Sequence, residues 1–260
     1  MDTVIVIWVG LLGLVVGSFL NVAIYRLPRR MRFVTGRSQC PDCGTQLKWY
    51  HNVPLVSYLA LGGRCAFCSN RISLRYPLVE LLNGVFYVYF FRELGFSFQF
   101  VAHAFLASAL IVVFLIDLEH RLIPDSVTLP GMAVALVLSL SSDGIGIVAA
   151  AIGLFVGGGA LYLLALLGDW LFKKESMGGG DIKMAAMLGA FLGWQKVLFV
   201  FIASAVIGLA VSLVLMLFST KLRQERLVPF GPFLATAAMA AIFFGDQAID
   251  FYLRHVVGLP

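Results

Sequence analysis

The sequence predicts an all-α polytopic membrane protein: about eight transmembrane helices with a small cytoplasmic zinc-binding insert. Three observations predict it. Of 260 residues, 60% are hydrophobic and only 13% charged, with a mean hydropathy of +0.94; an ordinary soluble domain carries about 25% charged and about 45–50% apolar residues. Apolar runs approaching the ~20 residues that cross a bilayer recur along the chain. All four cysteines fall in one polar stretch after the first such run.

The first run extends from Thr3 to about Ile24. It has no basic segment ahead of it, exceeds the roughly 7–15 apolar residues of a signal peptide, and is followed by no small-residue cleavage site. It is expected to stay as the first span, 3–25. The remaining runs place spans at 77–95, 98–117, 126–142, 145–171, 182–194, 197–219 and 229–253. The sixth, around Met184 to Trp194, reads as half a span or as one piece of a broken helix. The domains expected are 1–25, the first transmembrane helix; 26–76, the cysteine-bearing insert; and 77–260, a multi-span membrane domain.

Charge sets the expected orientation, because cytoplasmic loops collect Lys and Arg. Segment 26–76 holds Arg26, Arg29, Arg30, Arg32, Arg37, Lys48, Arg64, Arg71 and Arg75. Arg121, the group Lys173, Lys174 and Lys183, and the group Lys221, Arg223 and Arg226 follow spans three, five and seven. Only Arg92, Lys196 and Arg254 fall on the opposite side. The basic face is therefore expected to be cytoplasmic, with both termini outside. The net charge of +5 is a topology signal and does not point to nucleic acid.

The cysteines form two knuckles, Cys40-Pro-Asp-Cys43 and Cys65-Ala-Phe-Cys68. Each knuckle presents two thiolates to one ion, and two knuckles close a tetrahedral four-sulfur zinc site, with iron as the lesser option. Two disulfides are the rival arrangement, disfavoured in a reducing cytoplasm. Four thiolates leave no coordination position open, so the metal is expected to be structural. An insert of about 50 residues has little core of its own and gains from such a staple.

Carboxylates within apolar runs are rare, since each costs about 2.5–3.5 kcal/mol at a helix centre on insertion scales. Asp117 ends the run Leu110-Ile-Val-Val-Phe-Leu-Ile-Asp117, and Asp181 follows Gly178, Gly179 and Gly180 at the start of another. By the charge argument both lie at the cytoplasmic face. Either alone reads equally well as a helix cap. As a pair they suit an aspartyl protease: two neighbouring carboxylates share a proton, one activating water while the other polarises the scissile carbonyl. The glycines would leave room for an extended substrate backbone. Asp125 reads as the cap of span four, Glu119 as solvated, and His120 and Arg121 as headgroup contacts. Glu80 reads as a buried partner for Asn83 or a basic residue. Gly157 to Gly159, inside an apolar span, reads as helix packing. No Gly-x-Ser-x-Gly elbow supports a serine nucleophile. A transporter, a non-catalytic zinc-bearing scaffold, and an intramembrane protease with ordinary membrane substrates remain as alternatives.

Several motifs in order then resemble the bacterial type IV prepilin peptidases. They are Gly17-Ser-Phe-Leu-Asn-Val-Ala-Ile-Tyr-Arg-Leu-Pro28, the two cysteine knuckles, Ile72-Ser-Leu-Arg-Tyr-Pro-Leu-Val-Glu80, Asp117-Leu-Glu-His-Arg-Leu-Ile-Pro-Asp125, Gly178-Gly-Gly-Asp181-Ile-Lys183 and Pro229-Phe-Gly-Pro-Phe-Leu234. The resemblance implies a bifunctional enzyme of the bacterial inner membrane. It would remove the leader of type IV prepilins or pseudopilins after a glycine, then methylate the new N-terminal amine with S-adenosylmethionine. It implies that Asp117 and Asp181 are catalytic, and it identifies no residue that binds the methyl donor. The cysteine insert is similar to that of the bifunctional members.

Overall fold

The computed structural model describes residues 3–31, 36–174, 177–218 and 229–258. Arg32, Lys221, Arg223 and Arg226 of the charge argument lie outside the described residues. Among the described residues there are eight α-helices and no strands, only two isolated β-bridges. The helices are α1 (Thr3–Arg26), α2 (Val56–Ala60), α3 (Arg75–Leu94), α4 (Phe98–His120), α5 (Asp125–Leu138), α6 (Ile147–Phe172), α7 (Gly179–Phe218) and α8 (Gly231–Tyr252).

Five of these, α1, α4, α6, α7 and α8, are long and apolar enough to cross a membrane. Their outward faces are apolar, with Phe155 75% and Leu217 81% exposed, as suits a bilayer and not water. The other expected spans are helical too, but differ in kind. Helix α3 carries Arg75, Glu80, Arg92 and Glu93 within its length. Helix α5 has 14 residues, and so is only about 21 Å long. Spans six and seven are two helical pieces that follow one another within α7 and meet at a kink at Gly193, whose φ of 81° and ψ of 168° no α-helix contains. Glycine is the residue that takes such a conformation without steric cost.

The chain divides into two compact units, Met1–Val112 and Val113–Pro260. In the first, α1 and α3 pack antiparallel through small residues. A side chain at Gly13 would strike Gly84 and Tyr87, and one at Gly17 would lie 2.7 Å from the Glu80 Cα. Apolar helices in lipid gain little from the hydrophobic effect, so close backbone approach and buried polar bonds take over. Asn83 supplies such bonds, donating to the Gly13 carbonyl at 2.7 Å and accepting from the Ser108 hydroxyl at 2.8 Å.

In the second unit α7 packs against α5, α6 and α8. Helices α6 and α7 meet backbone to backbone: a Cβ on Gly153 would collide with the Gly189 carbonyl, and one on Gly157 with that of Ala185. Gly157 and Gly158 therefore pack as expected, whereas Gly159 faces open space. Helix α8 runs antiparallel to the second half of α7, with Gly208 against Phe233 and Lys196 paired to Asp246 at 2.8 Å.

Candidate active site and metal centre

The metal centre is built from two similar turns. In the first, the Cys40 amide donates to the Thr45 carbonyl at 3.0 Å and the Gly44 amide to the Cys40 carbonyl at 2.9 Å. In the second, the Cys65 amide donates to the Asn70 carbonyl at 2.9 Å and the Ser69 amide to the Cys65 carbonyl at 3.0 Å. An antiparallel bridge closes each turn, Gln39 with Gln46 and Arg64 with Arg71. Both turns need a left-handed residue after the second cysteine, which Gly44 (φ 69°) and Ser69 (φ 59°) provide.

All four sulfurs lie within 4.8 Å of one another, with Cys40 and Cys68 3.9 Å apart. A tetrahedron with Zn–S bonds of about 2.3 Å has edges of about 3.8 Å. The four cysteines are free thiols, and the donor set fits zinc. The hydrogen bond with the Thr45 hydroxyl, then that with its backbone amide, brings the exposed Cys43 thiol down to about 7, whereas burial and the neighbouring thiols raise Cys40 and Cys68.

The insert is tied to the membrane helices of its unit by an unanticipated bond. Buried Glu80 accepts the Leu55 amide at 2.9 Å, and Leu55 holds a φ of 59° that non-glycine residues seldom adopt. The expectation that Glu80 partners Asn83 or a basic residue is thus corrected. Asn83 is used by the Gly13 and Ser108 contacts, and the free end of Glu80 reaches the strained turn ahead of α2.

The second unit brings the two singled-out acids together. Asp117, 5% exposed, lies one turn from the end of α4. Asp181 lies in the first turn of α7, half-buried. The carboxylates are close enough for the charge of Asp117 to act on Asp181. Asp117 sits at a helix C-terminus, where a negative charge is disfavoured. Asp181 accepts the Gly178 amide at the start of its own helix, as a cap does, while its other oxygen, Oδ1, is buried without a hydrogen bond among the described residues.

Asp117 instead serves another helix. Its Oδ2 accepts the amide of Gly231 at 3.0 Å, and Gly231 opens α8, which has no side-chain cap of its own. The carboxylate thus sits at the positive end of α8, where such a charge is favoured. Ile123, 6% exposed, packs beneath both halves of the site. Its Cβ would lie 2.9 Å from a side chain at Gly180, and its Cδ1 3.2 Å from one at Gly231. Of the three glycines expected to form a loop, Gly179 and Gly180 belong instead to the first turn of α7; Gly180 accommodates Ile123, Gly178 lies beside Asp181 Oδ2, and Gly179 faces open space.

Asp125 is displaced from its expected role. It is the first residue inside α5, the cap position belongs to Pro124, and its carboxylate is bound by Lys183 at 2.7 and 2.8 Å. The pair is about half exposed, so its strength is modest, but it closes α5 onto α7 two residues beyond Asp181. Sequence reasoning missed Gly231, Ile123 and the Lys183 pairing. The glycine in Pro229-Phe-Gly-Pro, just before an apolar run, was the available signal for the first.

Residues 11–94 match the bacterial peptidase A24 N-terminal domain, and residues 104–213 match the type IV leader peptidase family. The prepilin leader peptidase/N-methyltransferase of Pseudomonas aeruginosa is 38% identical over 94% of this chain and 92% of its own length. The chain belongs to this family. A relative of the same name from Myxococcus xanthus is 41% identical over 81% of this chain and 63% of its own length, and that of Legionella pneumophila 33% identical over 95% and 94%. No solved structure matches. Asp117, Asp181 and Lys183 fall within the leader peptidase match and all four cysteines within the N-terminal one, whereas Gly231 lies beyond both.

Proposed function

We propose that this membrane protein is a bifunctional prepilin-processing enzyme. It removes the leader of type IV prepilins or pseudopilins after a glycine and then N-methylates the exposed residue. The observation that carries the proteolytic half is that Asp117 and Asp181, from separate helices, lie near enough to interact electrostatically, with Asp117 5% exposed and Asp181 half-buried. Two such carboxylates favour a state holding one proton between them. The ionised member takes a proton from water as it attacks the scissile carbonyl, while the protonated member donates a hydrogen bond to the carbonyl oxygen. Because the pair titrates as a unit, the two roles belong to the pair. Gly178 precedes α7 and Gly179 and Gly180 open its first turn, with Gly179 open to an approaching backbone.

A prepilin is itself an apolar helix with a basic leader, so it can approach within the bilayer with its charged end among lipid headgroups. The inner membrane is the setting that the apolar helices and the family support. The distribution of Lys and Arg supports an active site and insert on the cytoplasmic face, with both termini outside. Cys40, Cys43, Cys65 and Cys68 would hold a zinc ion, which supplies folding energy to the insert and no open position for a reaction. S-adenosylmethionine is the methyl donor, consumed as a substrate, and no residue is assigned to it.

The test is purified enzyme in nanodiscs with a synthetic prepilin, scored by mass spectrometry. Loss of the leader and a gain of one methyl group, the latter only with the donor present, are expected. A prepilin left intact by enzyme with all four cysteines metal-bound would overturn the proposal.

A further inference from the structure

We propose that Gly231 is a positioning residue for the aspartate pair, and that α8 thereby becomes part of the peptidase site. This rests on the aspartyl reading above. The Gly231 amide holds Asp117 Oδ2 at 3.0 Å, which leaves Oδ1 as the oxygen available to a water. An isolated carboxylate on a helix end samples several rotamers; one whose oxygen is fixed by an amide from another helix keeps its direction.

The absence of a side chain is as necessary as the amide. A Cβ at position 231 would lie 2.5 Å from Asp117 Oδ2 and 3.0 Å from its Cγ. The added atom has little room, because Asp117 is 5% exposed and Ile123 Cδ1 would itself lie 3.2 Å from that Cβ. The same Ile123 borders Gly180 in the turn that carries Asp181, so a side chain at 231 would also press on the residue packed against that turn. Glycine at 231 is therefore set by the position of the acid and not by a backbone turn: its φ is not among the positive values in the chain.

Three forms of the full-length enzyme in nanodiscs test this: Asp117→Asn, Gly231→Ala, and a protein made by cell-free translation with glycolic acid at 231. The last replaces the amide by an ester oxygen without adding an atom to the site. Cleavage is followed as kcat and KM separately, alongside methylation of a peptide already lacking its leader. Gly231→Ala is expected to lower kcat by about 100-fold or more. The ester is expected to lower it about 10-fold, as befits one hydrogen bond to a charged group. KM and methylation should stay within about 3-fold in both. If Gly231→Ala disturbs both activities through misfolding, the ester decides. A kcat within about 3-fold of the parent for the ester, with Asp117→Asn inactive, overturns the role of Gly231 while leaving the dyad in place. Normal cleavage by Asp117→Asn removes the dyad itself.

Discussion

Ser69 stands in the second zinc knuckle where Gly44 stands in the first, at nearly the same left-handed backbone angles. For an L-residue that conformation costs roughly 1–2 kcal/mol, and Ser69 is exposed, so its side chain recovers little. Ser69→Gly should therefore stabilise the metal-bound insert by about 0.5–1 kcal/mol, visible as slower zinc loss to a chelator; equal or faster loss would show that the serine makes a contact worth the strain. The acids set a sharper expectation at this scale. Asp117→Asn and Asp181→Asn keep nearly the same volume but cannot exchange a proton, so each should abolish leader removal while the protein still reaches the membrane. Prepilin cleavage in membranes, with immunoblots for protein level, measures both. Asp117 and Asp181 were legible because lipid makes any acid in an apolar run conspicuous. Gly231 was not, because one amide hydrogen looks like any other until its acceptor is known.

Helix α7 shows what an element-level reading resolves and what it misses. The apolar runs on either side of Gly193 were visible. That they form one broken helix depends on a single residue in a conformation open to glycine. The first piece, about 14 residues, would be too short to span alone, and it stays in place by packing backbone to backbone on α6. Gly189→Val should therefore separate α6 from α7, at about 3 kcal/mol or more by overpacking. The check is thermal unfolding in detergent, where an unchanged midpoint would refute the packing argument. The join between insert and helices rests on Glu80 and the Leu55 amide. Glu80→Ala leaves that amide unpartnered, at about 1–3 kcal/mol. Limited trypsinolysis should then cut faster at exposed Arg64; the parent pattern would show that Glu80 does not hold the insert.

The cysteine insert lies in one compact unit and the aspartate pair in the other. That division gives chelation a selective signature. Removing zinc should unfold the insert, since four unligated thiols supply no staple. Methylation should therefore fall further than leader cleavage when stripped enzyme is assayed for both. Equal loss of the two activities, or loss of neither, would argue that the insert does not serve the transfer step in particular.

Composition alone determined that the chain is a membrane protein, because 60% hydrophobic residues leave no soluble fold that could hide them. Spacing alone pointed to the four-cysteine cluster, which could hold a metal ion, because two Cys-x-x-Cys knuckles carry nearly all the geometry that a tetrahedral ion needs. Both are local or additive properties, and a linear sequence records such properties directly. Only the tertiary structure decided that Asp125 binds Lys183, that Glu80 reaches Leu55, and that Asp117 caps α8 through Gly231. Each of these joins residues far apart in the chain. Their pairing depends on how closely helices approach, which a glycine permits and only packing selects.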